Sequence, residues 1–256
     1  MRLTDDMIQL AGLLSTATRV VVFTGAGVSK ESGLDTFRDA GGVWQAIDPE
    51  EYASPAGFRR QPREVWRWYQ ARRRKMQAAA PNPAHYAIAE LEELFPHVVI
   101  ITQNIDGLHQ KAGSSRVLEL HGSLRRYKCA VNCRGAPTCV PLPPLDAEEP
   151  VRCPHCDAYT RPDIVWFHEM LPFSVWEEAV QEAVSCDAIL VVGTSGVVEP
   201  AASLPREART AGAYLLEVNL EPTALTHRSH VSVQGRAGVV LPLVVNQIRA
   251  YQQQGA

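Results

Sequence analysis

Five of the six cysteines fall within 28 residues, as Cys129, Cys133, Cys139, Cys153 and Cys156, with Cys186 apart. Cys129 and Cys133 form a CxxxC, Cys153 and Cys156 a CxxC, and 19 residues separate the pairs. Two close thiolate pairs on two turns suit a tetrahedral zinc ion, and the wider first pair lies within the usual spacing range. Four sulfurs leave no open position for a water. The metal is therefore expected to be one structural ion that replaces a core too small to form alone. Cys139 and His155 are rival ligands, but Cys139 sits in a proline-rich loop and the tight CxxC favours the pairs. The expected ligands are Cys129, Cys133, Cys153 and Cys156.

A second chemistry is carried by glycines. The stretch "VVVFTGAGVSKESG" reads as a strand, then Gly25, Ala26 and Gly27, then a helix start. Glycines there let backbone approach a diphosphate, and a helix N-terminus favours the anion. The next glycine is Gly33, so GxGxxG is absent, and no acid-ending strand follows about 20 residues on. A strand-to-helix turn needs glycine in any case. The reading gains weight from two further polar clusters after apolar runs, "TQNIDGLH" and "GTSGVVEP". Among eight histidines, His121 in "ELHGSL" could serve as a base near neutral pH or simply bond to a turn.

The third feature is "VWRWYQARRRK". Val65, Tyr69, Arg72 and Met76 are spaced i, i+4, i+7 and i+11, one face of a helix. That phasing puts Arg72 in the apolar stripe and turns Arg67, Arg74 and Lys75 toward solvent. A cation on a buried face needs an anion or several acceptors. Tyr69, one turn away, would add a hydroxyl beside it. An intrachain acid such as Glu64 or Glu51 could equally be the partner.

These residues need a scaffold. Continuous apolar runs at 19–25, 97–104, 188–195 and 213–219 read as strands covered on both faces, with helices such as 83–94 and 174–185 between them. The alternation predicts an α/β fold, a Rossmann-like doubly wound parallel sheet whose ligand crevice lies beyond the carboxyl ends of the strands. All three polar clusters fall there. Residues 37–80, rich in Arg, Trp and Pro, and 125–162, with the cysteines and "GAPTCVPLPPLDAEEP", do not fit the layers. The expected organisation is a sheet domain of 1–36, 81–124 and 163–256, with a smaller module made of a helical part, 37–80, and a zinc-ribbon part, 125–162.

Composition narrows the function. At 46% hydrophobic and 21% charged, the 256 residues can bury a substantial core. The formal net charge of −3 argues against a general nucleic-acid binder, although a zinc ribbon beside an Arg-rich helix is the form such a binder would take. The N-terminal segment reads as a helix start with Thr4 as N-cap, not as a leader, and no apolar run reaches the ~20 residues of a membrane span. A monomeric cytoplasmic protein with no membrane partner is expected.

With "TGAGVSKESGLDTFRDAGGVW", "TQNIDGLHQKAG", "LHGSL" and "VVGTSGVVEPAA" in this order around the cysteines, the chain resembles the sirtuins, NAD-dependent protein-lysine deacylases, over roughly residues 5–250. The resemblance implies that Gly25, Ala26, Gly27 and Ser29 hold the diphosphate, with Phe37 and Arg38 on a loop closing over NAD. Gln103 and Asn104 would hold the nicotinamide ribose, and Ile105 and Asp106 the carboxamide. Gly193, Thr194 and Ser195 would make the second phosphate and ribose contact, and Asn219 and Ala237 the adenosine end. His121, with Asn104, would be catalytic. In the family the acyl oxygen attacks the ribose C1′ as nicotinamide leaves, and the histidine then acts as base. The products are nicotinamide and O-acyl-ADP-ribose.

Tyr69 and Arg72 resemble the Tyr-x-x-Arg of the desuccinylating branch, which binds a carboxylate at the end of the acyl chain, and Ala53 the small residue that widens that pocket. The implied activity removes succinyl, malonyl, glutaryl and acetyl groups from lysine. A plain deacetylase and a protein ADP-ribosyltransferase of the same family are the alternatives. Val165, Trp166 and Phe167 would flank the acyl-lysine, with the peptide pairing by main chain between this segment and 196–200. His168 and Asp39 stand where the family usually has glycine.

Overall fold

The computed structural model describes residues 2–36 and 43–254. Nine strands are present among them: β1 (Arg19–Thr24), β2 (His97–Thr102), β3 (Val117–Glu119), β4 (Gly122–Cys129), β5 (Cys139–Val140), β6 (Thr160–Ile164), β7 (Ala188–Val192), β8 (Tyr214–Asn219) and β9 (Val231–Gln234). Six of them form a parallel sheet in the order β3-β2-β1-β7-β8-β9. Alternation of side chains explains why β1 is apolar throughout. Val20 and Val22 enter one core with the helices Asp5–Ser15, Pro83–Leu94 and Ala237–Gln254, while Val21 and Phe23 enter the other with Phe173–Ser185 and Leu204–Thr210. A strand covered on both faces has no solvent side on which to place a polar residue. The sheet is doubly wound, as its sequence predicts.

The helix predicted at 83–94 is Pro83–Leu94, begun by Asn82, whose side chain accepts from Ala84 N–H, with proline in the first turn. Short β3 and β9 carry too few residues to stand out in the sequence. The strands β5-β4-β6 form a separate antiparallel sheet at the cysteines.

The helix Pro62–Ala78 corrects the phasing read from sequence. Val65, Tyr69 and Met76 are buried as expected, but so are Trp66, Gln70 and Arg73. Arg73, only 4% exposed, is the deeply buried cation, and Arg72 lies half-buried at the stripe's edge. The cause is the proline-rich segment laid along the helix. Prolines lack an N–H, so their carbonyls seek donors from outside the segment. Arg73 donates to the Pro143 carbonyl at 2.9 Å, Gln70 to Pro144 at 3.3 Å and Trp66 to Ala147 at 2.7 Å. Arg67, Arg74 and Lys75 are exposed as expected, with Lys75 on Asp35 at 2.6 Å. Among the described residues the carboxylate whose charge acts on Arg72 is Asp35, rather than Glu64 or Glu51.

Candidate active site

Because the large sheet is parallel, the segments after β1, β2, β7 and β8 emerge on one edge. There they enclose a cavity of about 1140 Å³, above the ~300–1,000 Å³ usual for small-molecule sites. Gly25, Ala26, Gly27, Gln103, Asn104, Ile105, Gly193, Thr194, Ser195 and Asn219 line it, as do His121, Ala53, Tyr69, Arg72, Val165, Trp166 and Phe167. Residues from four strand ends, the helical part and the segment after β6 thus meet in one space.

The glycine loop is held by backbone. Gly27 N–H donates to the Gly193 carbonyl at 2.8 Å, and a Cβ on Gly27 would lie 2.7 Å from that oxygen. Gly193 itself has φ +60°, and a Cβ there would meet Val28 N at 2.4 Å. Two loops therefore interlock only as glycines. The turn after Gly25 is a 3-10 helix, Ala26–Ser32, rather than an α-helix. Gln103 donates from Nε2 to Thr194 Oγ1 at 3.0 Å, and Asn219 Nδ2 to the Thr194 carbonyl at 2.9 Å, which ties three strand ends together.

Some expected contacts sit behind the cavity wall. Ser29, 2% exposed, donates to Asp106 Oδ2 at 2.8 Å and accepts from Asn104 Nδ2 at 3.2 Å. Burial raises the Asp106 carboxyl above its ordinary range, against the bonds from Leu108 N–H and Ser29 that lower it. Ala237 is buried at the start of the last helix, away from the lining. Phe37, Arg38 and Asp39 lie outside the described residues.

His121 is placed as a base. Its Nδ1 lies 3.0 Å from the Gln103 carbonyl, and a carbonyl only accepts, so Nδ1 carries the proton and Nε2 keeps its lone pair. Burial pulls the imidazole below its ordinary value, partly offset by that backbone bond. The ring is neutral at neutral pH. Two further histidines behind the loop were not read from sequence. His109 meets Thr24 Oγ1 at 2.9 Å, and its ring lies 5.0 Å from that of His85. Burial pushes them down to about 3 and about 4, so both are neutral.

At the other end, Tyr69 and Trp166 stack at 6.0 Å, and Trp166 Nε1 donates to the Tyr69 hydroxyl at 2.8 Å. Arg72 lies over the Trp68 ring at 4.9 Å, and burial pulls its guanidinium below the usual range while Tyr69 and Asp35 oppose the shift. The Ala53 carbonyl accepts from Phe167 N–H at 2.8 Å, and the His121 carbonyl from Val165 N–H at 2.9 Å. Trp166 N–H is taken by Glu169 at 2.9 Å. His168 has φ +67°, a left-handed conformation that costs a residue with a Cβ roughly 1–2 kcal/mol. Its Nε2 lies 3.0 Å from both carboxylate oxygens of Glu50.

The four predicted cysteines come together. Their sulfurs all lie within 4.8 Å of one another, with Cys129–Cys156 at 3.6 Å and Cys133–Cys153 at 3.8 Å. A tetrahedron with Zn–S of about 2.3 Å has edges of about 3.8 Å, so the donor set fits zinc. Cys139 and His155 are exposed and lie outside the cluster.

Residues 25–200 match the Sir2 family. A protein named NAD-dependent protein deacylase 2, from Pyrobaculum aerophilum, is 50% identical over 242 residues, which is 94% of this chain and 96% of that one. The crystal structure of a Sir2 homolog–NAD complex aligns with a TM-score of 0.86 at 41% identity, over 95% of this chain and 94% of the other. Sir2Af2 bound to a myristoylated histone peptide aligns with a TM-score of 0.79 at 40% identity, over 98% and 99%.

Proposed function

The chain belongs to the Sir2 family, the sirtuins, and is an NAD-dependent protein deacylase; from that premise we propose that it favours acyl-lysines whose acyl chain ends in a carboxylate. Succinyl is the leading substrate, with malonyl and glutaryl beside it and acetyl accepted more weakly. The observation that carries this reading is that Arg72, Tyr69 and Ala53 line the same cavity as His121 and the glycine loop. A guanidinium pairs with a carboxylate through two parallel charge-assisted bonds, which an acetyl methyl cannot form.

When bound, NAD supplies an electrophilic ribose carbon and nicotinamide as leaving group. Gly25, Ala26 and Gly27, facing Gly193, Thr194 and Ser195 across the interlocked loops, would cradle its diphosphate, and all six line the cavity. Gln103, Asn104 and Ile105 face the nicotinamide side and Asn219 the adenosine side. Ser29 and Asp106 act from behind by fixing the Asn104 amide. His121, its Nδ1–H bonded to the Gln103 carbonyl, would accept a hydroxyl proton at Nε2. Val165 and Phe167 flank the lysine stem, and Arg72 with Tyr69 receives the acyl carboxylate. The four cysteines, whose sulfurs lie within 4.8 Å of one another, would hold zinc as a structural ion.

The test is competition among acetyl-, succinyl- and glutaryl-lysine forms of one peptide in the presence of NAD, read by mass spectrometry of the peptides and of O-acyl-ADP-ribose. Faster loss of the acidic acyl groups is expected. Equal or faster loss of acetyl would leave a plain deacetylase, and ADP-ribose retained on protein would indicate a transferase.

A further inference from the structure

Tyr69 and Trp166 meet in a bond whose direction is fixed by chemistry. An indole N–H donates and never accepts, so in the 2.8 Å contact the Tyr69 oxygen is the acceptor. Its own hydrogen is then directed elsewhere, and Tyr69 lines the cavity. A carboxylate only accepts. A phenol already supplied by the indole is thus set as a donor for it.

We propose that Trp166 is a positioning residue for the anionic end of the acyl chain, acting by holding the Tyr69 hydroxyl as a donor into the cavity. The inference rests on the carboxylate reading above and deepens it.

Trp166 is unusually well fixed for this task. It is 3% exposed, and its backbone N–H is held by Glu169 Oε2 at 2.9 Å. The Arg161 guanidinium lies 3.8 Å from the centre of its ring, and Phe58 packs against the ring at 5.4 Å. Arg161, itself 4% exposed, reaches both oxygens of Glu169 at 2.5 and 2.8 Å. Its Nε and Nη1 are buried without hydrogen-bond partners. Stability alone would place an apolar side chain under the indole, since a buried ion pair with unmet donors contributes little to stability. A cation stacked on one indole face and anchored by the carboxylate that holds the same residue's N–H fixes the ring in position and in plane. Burial also raises the Tyr69 phenol far above its ordinary value, so the proton to be donated stays in place. An acetyl group ends in a methyl and offers this donor nothing.

The experiment is a double-mutant cycle of Trp166→Phe and Tyr69→Phe, both of which keep an aromatic ring. KM and kcat are measured for succinyl- and acetyl-lysine forms of one peptide at saturating NAD. Trp166→Phe is expected to raise the succinyl KM about fivefold more than the acetyl KM, the factor of one net hydrogen bond, because any loss of packing on the lysine stem is common to both acyl groups. In the Tyr69→Phe background that difference should vanish, because it passes through that hydroxyl. Equal losses for both acyl groups, or a succinyl-specific loss that multiplies in the double variant, would overturn the proposal. Arg72→Met separates the two levels. If it leaves the succinyl KM unchanged, the carboxylate reading fails; if it raises that KM while Trp166→Phe does not, only the role of Trp166 fails.

Discussion

At one end of the cavity Gly27 and Gly193 touch backbone to backbone, and a single Cβ on either would fall 2.4–2.7 Å from main-chain atoms of the facing loop. At the other end Tyr69, Arg72 and Trp166 meet only through side chains carried by a helix and by the segment after β6. The first end offers no freedom: any substitution there moves two strand ends at once. The second can be rebuilt residue by residue while the backbone stays. Chemistry common to every substrate is therefore expected from the backbone-built end, and choice among substrates from the side-chain end.

The largest effect expected of that division is at His121, where the two ends meet. His121→Ala should lower kcat/KM by about 10³-fold for succinyl and acetyl peptides alike, the usual weight of a lost general base. Circular dichroism should report an intact fold. Near-normal turnover, or a loss confined to one acyl group, would break the division.

Zinc removal tests the support behind the side-chain end, since β4 and β6 join the cysteines to Val165 and Trp166. Stripping the metal should abolish deacylation and lower the thermal midpoint, because a thiolate-bound zinc contributes directly to folding. Hydrogen exchange should show β4–β6 opening while β1, β2 and β7 stay protected. Metal-free protein with unchanged activity and melting would contradict the structural assignment of the ion.

The smallest expected effect is on pH dependence. A base must be neutral to work, and burial holds His121 below its ordinary pKa of about 6.5. As pH falls, kcat/KM should therefore persist past 6.5 before declining, with the same midpoint for both acyl groups. A midpoint above 6.5 would contradict that depression, because kcat/KM reports the titrating groups of the free enzyme.

How much of this the sequence discloses follows from the same contrast. Strands covered on both faces announce themselves as apolar runs, and the helix Pro83–Leu94 by its proline and asparagine start. The glycine loop and the cysteine pairs are legible because backbone approach and metal geometry restrict residue type and spacing. Arg72 and Arg73 show the limit. Periodicity ranks helix faces by apolarity and cannot see that proline carbonyls at 143 and 144 would draw Arg73 and Gln70 inward. Ser29 and Asp106 show another: the motif identifies them, but only three dimensions put them behind the wall, supporting the Asn104 amide that lines it. The indole-to-phenol bond joins residues 97 positions apart, and local spacing carries no trace of it.

The central claim, that the side-chain end reads a carboxylate, is met most directly by the peptide competition repeated with Arg72→Met. Wild-type enzyme should prefer succinyl- over acetyl-lysine, and the variant should lose about 10- to 100-fold in kcat/KM for succinyl, as expected for bonds to a charged group, with acetyl changed less than about threefold. A variant that loses both activities in equal proportion would contradict the account.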